Sequence, residues 1–178
     1  VYKSYINTYL NQELSNRYLY EFEIRILGNN KTNKRFGFYF FSSDSLLENG
    51  GNGYFVWFRL ETNKLEFYKV INDTFTKTYE VSCIINLNLW YNIKVIYDRI
   101  AGKIWVYLGD ILQGTWIDTQ PYSTGGKYIS LRTGNCAAQF NQIKAYRSRY
   151  DNATYTIGVG NDITKDLRYE SINDSTVA

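Results

Sequence analysis

The sequence of 178 residues contains no histidine, no methionine and only one proline. Without histidine, the chain cannot form a Ser-His-Asp or Cys-His catalytic arrangement, or a metal site with histidine ligands. Without methionine, no initiator residue is present, and we expect Val1 to begin a processed or truncated fragment. No apolar run approaches the roughly 18–20 residues of a membrane-spanning segment, so no membrane span is expected.

The two cysteines, Cys83 and Cys136, lie far apart in the sequence and have no CxxC spacing. A metal site at these residues is therefore not expected. Two interpretations remain open. The cysteines are either two buried thiols or one disulfide between distant strands of an exported protein.

Oxygen-bearing side chains in the loops are the candidates for a calcium site, because calcium needs several converging oxygen ligands. Asp44, Glu48 and Asn49 in a long loop, and Asp118 further along the chain, are of the right type. Their spacing is unlike that of an EF-hand. A solvated loop is therefore the better interpretation, and no cofactor is predicted.

The net charge is only +3, and it is unevenly distributed. Residues 1–149 carry 18 Lys and Arg against 12 Asp and Glu, whereas residues 150–178 carry 2 against 5. The basic residues are scattered, and their single cluster at Lys31, Lys34 and Arg35 falls in a stretch that we predict to be a turn. Nucleic-acid binding needs a stripe of such residues, so no nucleic-acid partner is expected.

Aromatic side chains are abundant, with 18 Tyr, 10 Phe and 4 Trp in a chain that is 44% hydrophobic. The hydrophobic pattern has a period of two, which is typical of half-buried strands. The predicted strands are 19–26, 36–41, 54–60, 64–71, 77–81, 90–97, 103–108, 111–117, 127–132 and 139–147. Such short strands, separated by turns, predict an all-β fold: a two-sheet antiparallel jelly-roll sandwich over residues 1–149.

The two ends of the chain have less regular patterns. Residues 2–14 fit a helix or a strand with a bulge, and both interpretations remain open. After Arg149 the sequence becomes polar and acidic. We interpret residues 150–178 as a linker and the truncated start of a following β domain, with a short strand at 154–160.

Catalysis would require a suitable pair of carboxylates, as in glycoside hydrolases built on β-sandwiches. Glu21 and Glu23 share one face of a predicted strand and are the natural candidates. They alternate with a fully apolar face, which indicates that they point into solvent. We therefore do not expect this chain to be an enzyme.

Aromatic and polar residues that share a strand face favour a binding surface. In residues 54–60, Trp57 and Arg59 lie on the same face, and this pair is poorly suited to a dry core. Tyr39 and Trp105 also lie opposite the predicted core faces of their strands. Sugars combine apolar CH faces with hydroxyl groups, so a sugar site needs aromatic rings together with polar side chains.

The predicted ligand-binding residues are therefore aromatic and polar residues that lie on strands or on nearby loops. They are Trp57, Arg59 and Tyr39 on strands, with Asn135 and Asp44 on nearby loops. The alternative interpretation is that the surplus aromatic residues cover the sheet or pack against another protein domain.

Three segments share a distinctive aromatic pattern: RFGFYFFSSD at 35–44, GNGYFVWFRLETNKLEFYKVINDTF at 51–75 and LWYNIKVIYDRIAGKIWVYL at 89–108. Together they resemble a concanavalin A-like, laminin-G-like β-sandwich module of the lectin/glucanase type. Modules of this kind occur in secreted multidomain proteins of Bacteroidota-type bacteria, including amidase-like and xanthan-lyase-like proteins. YISLRTGNCAAQFNQIKAYRSR at 128–149 resembles the end of that module. TYTIGVG and DLRYE, at 154–160 and 166–170, resemble the start of a golvesin C-terminal-like β domain.

The resemblance implies a secreted or cell-surface location and a binding surface on the concave sheet and its rim loops. It also implies a disulfide between Cys83 and Cys136. It does not imply catalysis, because the amidase active site belongs to a separate domain with zinc ligands.

The sequence thus predicts a non-catalytic carbohydrate-binding or adhesion module of an exported, cell-surface or secreted protein, with a polysaccharide or glycan as partner. One alternative is a structural or assembly module that binds other protein domains or a secretion partner. Another is an accessory domain of a cell-wall amidase or of a polysaccharide-degrading enzyme.

Overall fold

The computed structural model describes residues 3–148, and these residues form β-strands and no helix. The strands are β1 Lys3–Tyr9, β2 Arg17–Leu27, β3 Arg35–Ser42, β4 Gly53–Arg59, β5 Lys64–Ile71, β6 Thr74–Ser82, β7 Trp90–Asp98, β8 Lys103–Leu108, β9 Ile111–Ile117, β10 Tyr128–Gly134 and β11 Ala137–Arg147. For residues 2–14 the sequence was compatible with a helix or a strand. In the structure, Lys3–Tyr9 of this segment form strand β1. Within residues 3–148 there is accordingly no helix that could cross a membrane.

The strands form two antiparallel sheets. The six-stranded sheet has the order β1-β10-β3-β4-β5-β6, and the five-stranded sheet has the order β11-β2-β7-β8-β9. The all-β, two-sheet antiparallel prediction is confirmed. The predicted second domain at residues 150–178, with its strand at 154–160, lies outside the described residues.

The main core lies between the two sheets and is built largely from aromatic rings. Phe22 of β2 packs against Phe38 of β3 with 5.0 Å between ring centroids, and Tyr54 of β4 lies 5.0 Å from Tyr97 of β7. All four side chains are buried. At roughly 1.5–3 kcal/mol for each large apolar side chain, such burial is the main favourable contribution to stability.

Strand β3 is buried on both faces, because a second hydrophobic cluster lies on the outer face of the six-stranded sheet. Its buried members are Tyr39, Phe55, Trp57 and Val70, with Tyr68 and Phe75 packed against them.

The loop between β3 and β4 folds back onto this cluster. Gly50 in that loop has φ of 77°, and an added Cβ would lie 2.2 Å from Tyr39 Cε1. The amide N–H and side chain of Asn49 bond to Asp73, which fixes the loop in this position.

The implied disulfide is wrong, because Cys83 and Cys136 are both free in the structure. Cys83 follows β6, whereas Cys136 lies in the turn after β10. Three strands separate β6 from β10, so at the usual spacing the two strand axes are roughly 19 Å apart. The Cys136 thiol instead donates a hydrogen bond to the carbonyl oxygen of Arg35, at 3.3 Å.

Candidate functional site

The candidate site lies on the outer face of the six-stranded sheet, where β3, β4 and β5 run side by side. Trp57 of β4 is directly opposite Glu66 of β5, and Arg59 is directly opposite Lys64. Because side chains alternate along a strand, these four residues point away from the main core. The predicted grouping of Trp57 with Arg59 on one face is therefore present.

A charged hydrogen-bond network joins β4 to β5 at this position. Arg59 Nε donates to Glu66 Oε2 at 2.6 Å, and the Tyr68 hydroxyl donates to the same oxygen at 2.6 Å. Arg59 Nη1 also donates to Asn33 Oδ1 at 2.9 Å, and Lys77 Nζ lies 3.7 Å from Glu66 Oε1. The network presents a fixed array of donors and acceptors on the surface of the sheet.

The electrostatics of this network follow from its partial burial. Burial alone would lower the pKa of Arg59, but the hydrogen bonds with Glu66 and Tyr68 outweigh it and raise the pKa. Burial, together with the hydrogen bond to Glu66, raises the pKa of Tyr68. Arg59 therefore stays charged and Tyr68 stays neutral at physiological pH. Such a combination can bind hydroxyl groups as donor and as acceptor.

Trp57 is not the open stacking surface that the sequence suggested, since the residue is only 9% exposed. Its ring meets Phe55 edge to face at 4.6 Å between centroids, and the Arg35 guanidinium lies 5.2 Å from the Trp57 ring. The Phe55 ring and the Arg35 guanidinium together cover the indole, which is why it is not exposed.

Tyr39 lies on the predicted face but is fully buried, so it is not a free ligand-binding side chain. The Arg132 guanidinium lies 5.1 Å from the centroid of its ring, and Gly50 and the rings of Phe55 and Phe75 also pack against it. Burial raises the pKa of the Tyr39 hydroxyl. That hydroxyl has no hydrogen-bond partner among the described residues.

Asn135 lies close to the site, whereas Asp44 does not. Asn135 follows Gly134, which pairs with Arg35, and its side chain donates to the carbonyl oxygen of Thr32 at 3.0 Å. Asp44 follows the opposite end of β3, where its carboxylate accepts a hydrogen bond from the amide N–H of Leu46 at 2.7 Å. The structure thus brings together Trp57, Arg59 and Asn135, and it separates Asp44 from them.

Sequence reasoning missed four site residues: Arg35, Glu66, Tyr68 and Arg132. We expected Arg35 in a turn, but it begins β3 and lies directly opposite Arg59. A usable signal existed for Glu66 and Tyr68, since they share a strand face and a hairpin places β5 beside β4. No comparable signal existed for Arg132, because β10 pairs with β3 from far along the chain.

The remaining polar candidates have structural partners. Glu21 and Glu23 lie on the outer face of the five-stranded sheet, where they accept hydrogen bonds from the side chains of Asn92 and Asn141. Asp118 accepts a hydrogen bond from the Tyr54 hydroxyl. Among residues 3–148, no group of three or more His, Cys, Asp or Glu side chains is placed to hold a metal ion.

An open groove of about 620 Å³ lies on another part of the surface, where the end of β6 approaches β7 and β9. Its lining includes the exposed side chains of Ile84, Trp90 and Ile111. Most of the residues that line this groove are apolar or aromatic. It is therefore the second candidate binding surface of the molecule.

Comparison with known proteins found no matching family model and no matching curated protein. Several solved structures are similar. The carbohydrate-binding module CBM66 from Bacillus subtilis has a TM-score of 0.60 at 19% identity, covering 80% of this chain and 81% of that module. Sheep galectin-11 has a TM-score of 0.61 at 9% identity, covering 79% and 95%. Toad ovary galectin in complex with thio-digalactose has a TM-score of 0.57 at 14% identity, covering 79% and 97%.

These similarities establish the fold. The chain is a galectin-like, concanavalin A-like β-sandwich, and this part of the prediction is confirmed. At such low identities they do not by themselves assign a ligand, because one fold hosts many functions.

Proposed function

We propose that this chain is a non-catalytic carbohydrate-binding module, and that its site is the outer face of the six-stranded sheet around Arg59, Glu66 and Trp57. The observation that carries the proposal is the Arg59–Glu66–Tyr68 network beside the Trp57 ring. A charged network on a sheet face that also carries the partly exposed rings of Tyr68 and Phe75 offers both elements of sugar recognition: directed hydrogen bonds and apolar contact.

Two further observations support the proposal. Structures of similar fold include a carbohydrate-binding module and a galectin solved with thio-digalactose. The chain has no histidine, and Glu21 and Glu23 are engaged by asparagine amides on the other sheet. A role as a binding domain rather than as an enzyme is consistent with both facts.

We test the proposal by affinity electrophoresis of the full chain through gels that contain soluble polysaccharides, and by binding to a glycan array. The wild type should be retained on at least one glycan. Arg59→Ala should weaken that binding by about 30-fold or more, as expected for a central, hydrogen-bonded arginine. Trp105→Ala, on the outer face of the other sheet, is the matched control and should bind like the wild type. Absence of retention on every glycan would contradict the proposal.

The cellular setting follows as part of the same proposal. We infer that the module belongs to an exported, cell-surface or secreted bacterial protein, in which it could serve adhesion or act as an accessory domain of a cell-wall amidase or polysaccharide-degrading enzyme. Detection of the endogenous protein in the culture medium or on intact cells tests this location. Confinement to the cytoplasm would contradict it.

A second function, the binding of a protein partner or of secretion machinery, is favoured by the groove at Ile84, Trp90 and Ile111. Exposed large apolar side chains in one groove are typical of protein interaction sites. If this alternative is correct, Trp90→Ala should abolish capture of the other domains of the parent protein. Under the same alternative, Arg59→Ala should have no effect on that capture.

A further inference from the structure

The outer face of the six-stranded sheet carries an unusual row of cations. The strand register places Arg35 of β3 directly opposite Arg59 of β4, and Arg59 directly opposite Lys64 of β5. Arg132 of β10 lies on the same face, opposite Gly37 of β3. Like charges directly opposite one another destabilise a sheet, so the row needs a compensating feature.

The acidic side chains on this face compensate only one end of the row. Glu66 lies 2.6 Å from Arg59, and Glu80 lies 3.4 Å from Lys64. Within the part of the chain that the structure describes, neither Arg35 nor Arg132 has a carboxylate within ion-pair distance. Asp73 and Glu48 interact electrostatically with Arg132, whereas at Arg35 the repulsion from Arg59 outweighs the attraction of Glu66. The excess of positive charge therefore lies at Arg35 and Arg59.

The two arginines without a carboxylate partner are also the most buried cations of the row. Arg35 is 8% exposed and Arg132 is 7% exposed. Burial lowers the pKa of both guanidinium groups, and the charge of Arg59 lowers that of Arg35 further. A buried charge is costly unless it is paired or hydrogen-bonded.

Aromatic rings and carbonyl oxygens provide part of the compensation. Arg35 lies over the ring of Trp57 and donates to the carbonyl oxygen of Asn33 at 3.3 Å. Arg132 lies between the rings of Tyr5 and Tyr39, at 5.2 and 5.1 Å from their centroids. It also donates to the carbonyl oxygen of Glu48 at 2.9 Å. Arg132 Nε also donates to Ser130 Oγ at 3.3 Å. Each guanidinium has five N–H donors, so these contacts leave donor capacity for a ligand, and most of it at Arg35.

We propose that the glycan bound at this site is acidic, and that its carboxylate or sulfate oxygens bind between Arg35 and Arg59. This inference rests on the proposed carbohydrate-binding function and specifies the class of sugar. An oxyanion would relieve the repulsion between the two opposed arginines and accept charge-assisted hydrogen bonds from their planar groups. The Arg59–Glu66–Tyr68 network would remain available for the hydroxyl groups of the same sugar.

The test compares polysaccharides that differ only in charge, using the full chain. Polygalacturonate is compared with its methyl ester, and dextran sulfate with dextran. At least one acidic polymer should bind about tenfold or more tightly than its neutral counterpart, the change expected for one charge-assisted contact. The first pair reports carboxylate recognition and the second reports sulfate recognition.

Arg35→Gln tests the assignment of the residue, because glutamine keeps hydrogen-bonding groups and removes the charge. It should abolish the preference, so that the variant binds the acidic polymer no more tightly than the neutral one. Lys103→Gln is the matched control: Lys103 Nζ lies 4.7 Å from the centroid of the Trp105 ring on the other sheet, so this variant removes a ring-stacked cation away from the site. It should keep the full preference.

A readout that needs no variant uses the salt dependence of the wild type. Raising NaCl from about 0.05 to 0.5 M should weaken acidic binding and reduce the acid-to-neutral ratio. The inference would be overturned if charged and neutral polymers bound equally, or if single-stranded DNA were retained as strongly as the acidic glycan. Neither result would contradict the proposed carbohydrate-binding function. No retention on any polysaccharide would instead overturn the proposed function itself.

Discussion

Gly37 occupies the centre of the outer face of the six-stranded sheet, and aromatic rings fill the space above it. A Cβ atom at this position would lie 2.1 Å from Phe55 Cζ and 2.8 Å from Trp57 Cε3. Both rings belong to the packed outer cluster, so neither can move freely. The absence of a side chain at Gly37 is therefore what lets Phe55 and Trp57 pack against the sheet.

Gly37→Ala should consequently destabilise the protein by about 1–3 kcal/mol, the usual cost of overpacking. The melting temperature should fall by several degrees, as measured by differential scanning calorimetry. Gly28→Ala is the matched control, because its nearest contact would be an ordinary 3.5 Å to Leu87 Cδ1. Equal melting temperatures for the two variants would contradict the packing described for Gly37.

The two cysteines give a second prediction at the scale of the residue. Burial raises the pKa of the Cys83 thiol to about 11, so almost none of it is the reactive thiolate at pH 8. A thiol reagent such as DTNB should therefore leave Cys83 unmodified in the native protein and modify two thiols after unfolding in denaturant without reductant. Reductant should leave the melting temperature unchanged. A count of zero thiols in denaturant would mean that the disulfide exists.

Individual residues also mark the limit of prediction from sequence. Alternation within 54–60 correctly placed Trp57 and Arg59 on one face, because that periodicity is a local property of the strand. It could not predict the burial of Tyr39, which depends on Arg132 of β10 and on the loop at Gly50. A period of two indicates which side of a sheet a residue faces, but not what covers it.

At the scale of elements, the chain segment after β9 connects the two sheets through a buried carboxylate. Asp118 accepts a hydrogen bond from the Tyr54 hydroxyl of β4 at 2.8 Å, and it lies 2.7 Å from Lys69 Nζ of β5. Burial alone would raise the pKa of Asp118. The hydrogen bonds from Lys69, the backbone N–H of Gln120 and Tyr54 outweigh it and lower the pKa.

This contact predicts a dependence of stability on pH. Because the folded pKa of Asp118 lies below its unfolded value near 3.8, its contribution is present above about pH 4. The contribution is lost as the pH falls through the folded value. Asp118→Asn should lower the free energy of unfolding by about 1–3 kcal/mol at pH 7, and the difference from the wild type should shrink below pH 4.

Urea unfolding of both proteins at pH 7, 5 and 3 measures this effect. Asp110→Asn provides the control, because Asp110 pairs with Lys94 while its carboxylate is exposed to solvent. That variant should unfold like the wild type at each pH. If the difference in the free energy of unfolding between wild type and Asp118→Asn stayed constant from pH 7 to pH 3, the ionised carboxylate of Asp118 would not contribute to stability.

At the scale of the whole molecule, the number of sheets and their antiparallel pairing were predictable, whereas the site was only partly so. Short strands of period two define an all-β sandwich because each strand buries one face. The site depends on the register between β3, β4 and β5, which aligns Arg35, Arg59 and Lys64. That register arises from the packing of many side chains together, and the pattern within any single strand does not specify it.

The domain boundary at residue 149 remains a prediction, and two features of the described residues favour it. The eleven strands that the structure describes form two packed sheets within residues 3–148, and the backbone N–H of Ser148 donates to the carbonyl oxygen of Arg17, at the start of β2. A chain that ends at residue 149 should therefore unfold in one cooperative transition, with a melting temperature within about 2 °C of the full chain. It should also retain the same glycan binding, because every residue of the proposed site lies before residue 149. A markedly lower melting temperature, with unchanged buffer and protein concentration, would mean that residues 150–178 pack onto the sandwich and belong to the same cooperative unit.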